Sequence, residues 1–232
     1  MKKVLNSDIM NVANEFNKVA KDYDNQRQKL IPVFDDFYGI AIESIEINTE
    51  KPKVLEIGTG TGLFSEMFLN TFPYAKMDLV DLAEDMLNIA KERFSDNSNL
   101  NFFLKDILNF SPSEKYDLVI SSLAIHHLEI HDQKKLYNKI FDWLKNDGMF
   151  VNCEMIAGEN EFSNNMYEKW IVAKAKDDND LDDEAKSTAI ERLKLDKKVP
   201  ISTHLKWLKN AGFSHVDCLY KVYCFGVLWA KK

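Results

Sequence analysis

Three of the chain's eight glycines, Gly58, Gly60 and Gly62, fall within five residues at the end of Val54-Leu55-Glu56-Ile57-Gly58-Thr59-Gly60-Thr61-Gly62. An apolar run entering closely spaced glycines reads as a buried strand passing into a tight turn. Glycine there lets the backbone turn sharply and lets a ligand approach main-chain atoms. The flanks narrow the ligand. No lysine follows Gly62 before Lys76, which excludes a phosphate-gripping P-loop, and Leu63 stands where the dinucleotide fingerprint needs its last glycine. Glu56 would repel a pyrophosphate but attract an ammonium group. The glycines alone fit a ligand turn and an ordinary turn equally well.

Two further carboxylates change that balance. Asp81 closes the run Met77–Asp81, where it can accept hydrogen bonds from both hydroxyls of a ribose. Asp106 follows a third strand-like run, where it can accept from an adenine amino group while Ile107 covers the ring. Each alone reads equally as a helix N-cap. Acidic residues at three successive strand ends lie where open α/β sheets take their ligands. Beyond the fourth strand, Ser121-Ser122-Leu123-Ala124-Ile125-His126-His127-Leu128-Glu129 brings imidazoles that titrate near neutrality. His126 or His127 can take a proton from a substrate or serve as architecture. Glu154 is a second acidic candidate for contacting substrate. Glu129, His131 and Asp132 read as a turn before the next helix, so no metal site is expected.

These residues need a scaffold that presents strand ends side by side. Strand-like runs at 53–57, 77–81, 101–104, 116–121 and 149–155 alternate with helical periodicity at 63–68, 83–94 and 132–145, with Asn146-Asp147-Gly148 as a helix stop and Gly148 as its left-handed residue. That alternation predicts a parallel sheet covered on both faces. Helical periodicity also fills the stretch before residue 50 and, after Gly158, the polar stretch 159–200. A helix over 202–210 ends at Gly212. The runs 213–220 and 223–230 are too close for a crossover and must form an antiparallel hairpin. The acidic run 177–184 lacks the glycine and glutamate of a calcium loop and reads as a solvated turn. A single domain is expected, with a helical N-terminal part (1–50), a core (51–158), a helical insert (159–200) and a closing helix and hairpin (201–232).

Composition excludes several function classes. The 232 residues carry 30 basic and 37 acidic side chains, a formal charge of −7, against phosphate-neutralising nucleic-acid binding. Aromatic residues make up 12%, core material that a disordered chain lacks. Cys153, Cys218 and Cys224 form no framework or CxxC pair. With no signal-like or membrane-spanning run, a cytoplasmic protein without membrane contact is expected.

At the level of motifs, Val54 to Met155 resembles the class I S-adenosylmethionine-dependent methyltransferases. Val54–Gly62 looks like the family's first motif, Asp81-Leu82 like its ribose and adenine contacts, and Asp106-Ile107 like its adenine-edge pair. Tyr116–Ser122 is similar to its fourth strand, whose end lies beside the methionine part of the cofactor. The resemblance implies S-adenosylmethionine as cofactor, held by Glu56, Gly58, Thr59, Gly60, Gly62, Asp81, Leu82, Met86, Asp106, Ile107, Ser121 and Ser122. It also implies a Rossmann-like seven-stranded, mostly parallel sheet with an antiparallel last strand, an N-terminal helical lid and a helical insert after strand 5. Phe16–Arg27 is similar to the lid helix of small-molecule methyltransferases, which implies that Tyr23 and Arg27 close over the cofactor; a helix with Tyr23 in the core and Arg27 in solvent is the competing reading. The expected reaction moves a methyl group to a small-molecule acceptor, with His126 and Glu154 as candidate catalytic groups. The C-terminal third also resembles carboxy-S-adenosylmethionine synthase of tRNA uridine modification. Trp207 stands where that enzyme carries an arginine for its extra carboxylate, which favours the unmodified cofactor. A cofactor-modifying enzyme, with a basic patch at Lys194, Lys197 and Lys198, and a non-catalytic cofactor-binding protein are the alternatives. A homodimer stays open.

Overall fold

The computed structural model describes residues 7–177 and 181–232. Helices α1 (Ser7–Val19), α2 (Tyr23–Leu30) and α3 (Phe34–Glu43) precede a β/α alternation. It runs β1 (Lys53–Ile57), α4 (Leu63–Thr71), β2 (Lys76–Asp81), α5 (Glu84–Arg93), β3 (Leu100–Leu104), β4 (Tyr116–Ser122), α6 (Ile130–Trp143) and β5 (Leu144–Met155). Then come α7 (Glu161–Asp177), α8 (Asp183–Arg192), α9 (Ile201–Ala211), β6 (His215–Val222) and β7 (Phe225–Lys231). Asp178 and Asp180 of the acidic run lie outside the described residues. No helix among those described is long and apolar enough to cross a membrane.

The seven strands form one sheet in the order β3-β2-β1-β4-β5-β7-β6. β1 to β5 pair in parallel, and β7 runs antiparallel to both β5 and β6. The order reverses between β1 and β4, which opens a crevice at their carboxyl ends, where ligands of open α/β sheets sit.

Strand alternation sorts the core into two layers. Val54, Leu118, Ile120, Val151 and Val227 pack with Phe37 and Tyr38 of α3, Phe64 and Phe68 of α4, and Ile171 of α7. Leu55, Val119 and Phe150 face the other way, against Leu136, Tyr137 and Ile140 of α6 and Leu208 of α9. Both layers are buried, so β1 and β4 are apolar runs rather than alternating ones.

The largest boundary difference lies at the start of β5. The helix ends at Trp143 rather than 145, and β5 begins at Leu144 instead of 149. Tyr116 pairs with Leu144 and Leu118 with Met149, so the intervening residues bulge out of the ladder. The left-handed residue there is Asp147, at φ 63°, not Gly148. Gly148 is required for space instead, since a Cβ would stand 2.9 Å from the Lys145 carbonyl oxygen. Gly212 does close α9 in the left-handed conformation, at φ 111°.

Candidate active site

The crevice at the order reversal holds a cleft. Gly58 and Gly60 form its floor, Asp81, Leu82 and Met86 one side, Asp106 and Ile107 another, and Ser122-Leu123-Ala124 the wall beyond β4. Val12, Ala13, Phe16 and Tyr23, from α1 and the start of α2, cover it. The glycines take φ 69° and 56°, in the region that side chains disfavour. A Cβ on Gly58 would lie 2.2 Å from the Ala124 Cβ, so the β1 turn and the β4 loop approach at a distance only glycine permits.

Asp81 closes β2 with both oxygens anchored, Oδ2 accepting from the Gly60 amide and Oδ1 from the Ala83 amide, each at 2.7 Å. Burial pushes its carboxyl up despite these donors. Each oxygen keeps a lone pair for a further hydroxyl. Asp106 caps the turn after β3, accepting from Leu108 N at 2.8 Å, and lines the cleft as well. The two readings of that residue are therefore compatible.

Other sequence-selected residues stand behind the wall. Glu56 is 1% exposed and accepts from the Ser65 hydroxyl; burial pushes its carboxyl up to about 8. Thr59 is buried off the cleft, Gly62 caps the start of α4 at φ 81°, and the Ser121 hydroxyl donates to the Ile57 carbonyl at 2.9 Å. Arg27 does not line the cleft. Its guanidinium lies 5.2 Å from the Tyr23 ring centre and faces a second cavity.

That second cavity lies under the helical insert. Its wall is largely apolar (Leu30, Ile31, Ile171, Ala175, Ala189, Phe225), with Arg27, Arg192, His126, His127 and Asp196 as its polar groups. Phe16 and His127 line both cavities, their rings edge to face at 5.2 Å, and form the partition.

The two catalytic candidates meet in space. His126 Nδ1 contacts Glu154 Oε1, and Glu154 also accepts from the Met155 amide at 2.8 Å and Asn152 Nδ2 at 3.1 Å. Burial lowers the His126 pKa, and the facing Glu154 and Asp196 carboxylates outweigh it and leave it raised. Burial raises Glu154, and His126 outweighs it and leaves it lowered. Glu154 lies within β5 and is fully buried, lining neither cavity. It stands behind His126 rather than at a cavity wall. His127 is held far below its usual pKa by burial, then by His126, Arg27 and Arg192.

Sequence reasoning missed Asp196 and Arg192 as site residues, because only the fold of the insert brings them to the histidines. His131, four residues from His127, is 68% exposed and pairs with Asp132 at 3.3 Å, away from the cavities. Trp207 packs against Tyr137 and His204 and lines neither cavity. Lys194, Lys197 and Lys198 each face a carboxylate, Glu191 at 2.6 Å, Glu129 at 3.6 Å and Asp196 at 3.8 Å, rather than forming an unopposed patch.

Residues 54–148 match a family described as a methyltransferase domain. Malonyl-[acyl-carrier protein] O-methyltransferase 1 of Ilyobacter polytropus is 35% identical over 143 residues, 61% of this chain and 50% of that one. The chain thus spans about half the length of this relative. Carboxy-S-adenosyl-L-methionine synthase of Nautilia profundicola is 22% identical over 94% of both chains. Human N-acetylserotonin methyltransferase, solved with S-adenosylmethionine, shares the fold with a TM-score of 0.58 at 16% identity, over 86% of this chain and 52% of the other. Glycine floor, strand-end carboxylates, strand order and matched domain agree: residues 54–148 form a methyltransferase domain of the S-adenosylmethionine-dependent type.

Proposed function

We propose that the protein transfers a methyl group from S-adenosylmethionine to a small acceptor held in the cavity beneath α7 and α8. The observation carrying this reading is the shared partition: Phe16 and His127 belong to both cavities, so the two ligand spaces adjoin there. The residues present suit the cofactor. The glycine floor leaves room for a backbone-hugging ligand, and the Asp81 oxygens keep acceptor capacity for ribose hydroxyls. Asp106 and Ile107 would take the adenine, and Tyr23 would cover the methionine end.

When bound, the cofactor supplies a methyl group on a positively charged sulfur, electrophilic without a nucleophilic side chain. The protein then contributes position and exclusion of water. Tyr23, Phe16 and α1 close the cleft over its ligand. The insert shields the acceptor, and its apolar wall selects a ligand with an apolar body. Glu154 holds His126 in one orientation by Nδ1, and Nε2, 3.6 Å from Asp196 Oδ1, lies at the second cavity to polarise an acceptor hydroxyl or amine. Arg27, in this arrangement, serves the acceptor side rather than the cofactor carboxylate.

Calorimetric titration with S-adenosylmethionine tests the first half, and absence of binding by folded protein refutes it. Incubation with isotope-labelled cofactor and a metabolite extract, read by mass spectrometry, tests the second. The expected result is a small molecule bearing the labelled methyl group. A modified cofactor instead would favour the synthase reading, to which the end-to-end similarity with the Nautilia profundicola enzyme lends weight.

A further inference from the structure

Asp196 Oδ1 stands 3.6 Å from His126 Nε2 and 3.5 Å from His127 Nδ1. One ligand atom from each of these residues lies within 4.8 Å of the other two. These separations exceed those of a normal hydrogen bond. They suit a shared ion, since two ligand atoms each about 2.1 Å from a tetrahedral metal are about 3.4 Å apart. A second observation is the unmet hydrogen-bonding capacity of two of these side chains. His127 Nδ1 and Asp196 Oδ2 are buried without any hydrogen-bond partner, a costly state that native structures avoid. A third concerns His126, whose Nδ1 is held by Glu154. Metal-bound imidazoles are commonly oriented in this way, with a carboxylate on the ring nitrogen remote from the metal.

We propose that His126, His127 and Asp196 form a binding site for one divalent transition-metal ion on the wall of the second cavity. Two imidazoles and one carboxylate favour zinc, iron or cobalt over magnesium or calcium, which prefer all-oxygen sites. Three protein ligands leave a coordination position for an oxygen or nitrogen from the cavity, the arrangement of catalytic rather than structural centres. Lys198, 3.8 Å from Asp196 Oδ2, and Arg27 and Arg192 in the same cavity oppose the ion's charge. They favour an anionic oxygen in that open position. The ion takes the place of a proton on His126 Nε2, so the metal, not the imidazole, acidifies an acceptor hydroxyl. Ion binding itself does not require the methyl-transfer reading; only its service to the acceptor rests on that reading.

The test uses the full chain, freed of any affinity tag, stripped with chelator and titrated with cobalt(II) in visible light. The expected result is saturation at one equivalent with the absorption of a four- or five-coordinate nitrogen–oxygen site, displaced by zinc and unaffected by magnesium. His127→Ala and the isosteric Asp196→Asn should each weaken binding at least about 100-fold. Glu154→Gln, which acts through His126, should weaken it by about 10- to 100-fold and shift the cobalt spectrum. His131→Ala, on the exposed histidine, should change nothing. Circular dichroism establishes that each variant is folded. Absence of a saturable cobalt signal in folded wild type overturns the proposal, as does a thiolate-type spectrum that survives Asp196→Asn. Calorimetry with S-adenosylmethionine on the same samples keeps failure here separate from failure of the methyltransferase reading.

Discussion

The two cavities share a partition but are built by opposite means. The cofactor cleft is lined mainly by residues next to strand ends of a parallel sheet, and much of its floor is backbone. The second cavity gathers side chains from α2, β5, α7, α8 and β7, with polar groups on an otherwise apolar wall. The first is set by strand order and by where glycine permits close approach. The second is set by how an insert of helices lands. A substitution in the first should therefore cost binding of a common ligand. One in the second should alter which acceptor is used, or whether any is.

The largest expected effect strikes the backbone floor. Gly58→Ala forces a left-handed alanine, about 1–2 kcal/mol, and overlaps Ala124, costing about 1–3 kcal/mol more. S-adenosylmethionine binding should become undetectable by calorimetry; unchanged affinity would break the comparison at its base. Next comes Asp81→Ala, which removes hydrogen bonds to a charged acceptor worth about 1.5–3 kcal/mol. Cofactor affinity should fall about 10- to 100-fold, and a wild-type Kd would remove Asp81 from the ribose role. On the acceptor side, Ala189→Trp fills the second cavity from α8. Labelled-methyl transfer should drop about 10-fold or more with cofactor Kd within about twofold, so loss of cofactor binding would show that the cavities are not separable.

A change in stability rather than in binding is expected at Glu56, behind the glycine turn. Burial holds its carboxyl at about 8 in the folded chain, against 4.5 for an ordinary one. Between those values the native state binds more protons than the unfolded state, so stability is full below about 4.5 and is lost as pH rises through about 8. Urea midpoints measured without cofactor from pH 5 to 8.5 should fall for wild type and stay flatter for Glu56→Gln. Equal slopes would mean that Glu56 is ionised in the folded protein, as an ammonium-binding carboxylate would be.

The same contrast explains what the amino-acid sequence reveals. Strand runs ending in Gly58, Asp81 and Asp106 announce a parallel sheet and its ligand crevice, because period and turn chemistry are local properties. The β6–β7 hairpin was legible from the shortness of its connection. The β5 boundary was not, because Gly148 reads as a helix stop while its actual demand is steric, against Lys145. His126 and Glu154 were both identifiable as chemical residues, but only pairing along β5 and β4 shows that one holds the other. Arg27 was assigned by resemblance to the cofactor, whereas the turn of α2 directs it to the other cavity. Asp196 carries no local signal at all. It becomes part of the site through tertiary contact across the insert.

The position of β7 has a consequence for synthesis. It is the last of the seven strands in chain order, yet it lies inside the sheet between β5 and β6. While the ribosome makes the insert and α9, the outer edge of β5 has no partner. At about 5–20 residues per second that interval lasts several seconds, and β5 is the strand that carries Glu154. Parallel pairing of β1 to β4 can form earlier, around the cofactor crevice. The nascent chain is thus expected to acquire its nucleoside-binding half first, and to be exposed to edge-to-edge association until the hairpin slides home.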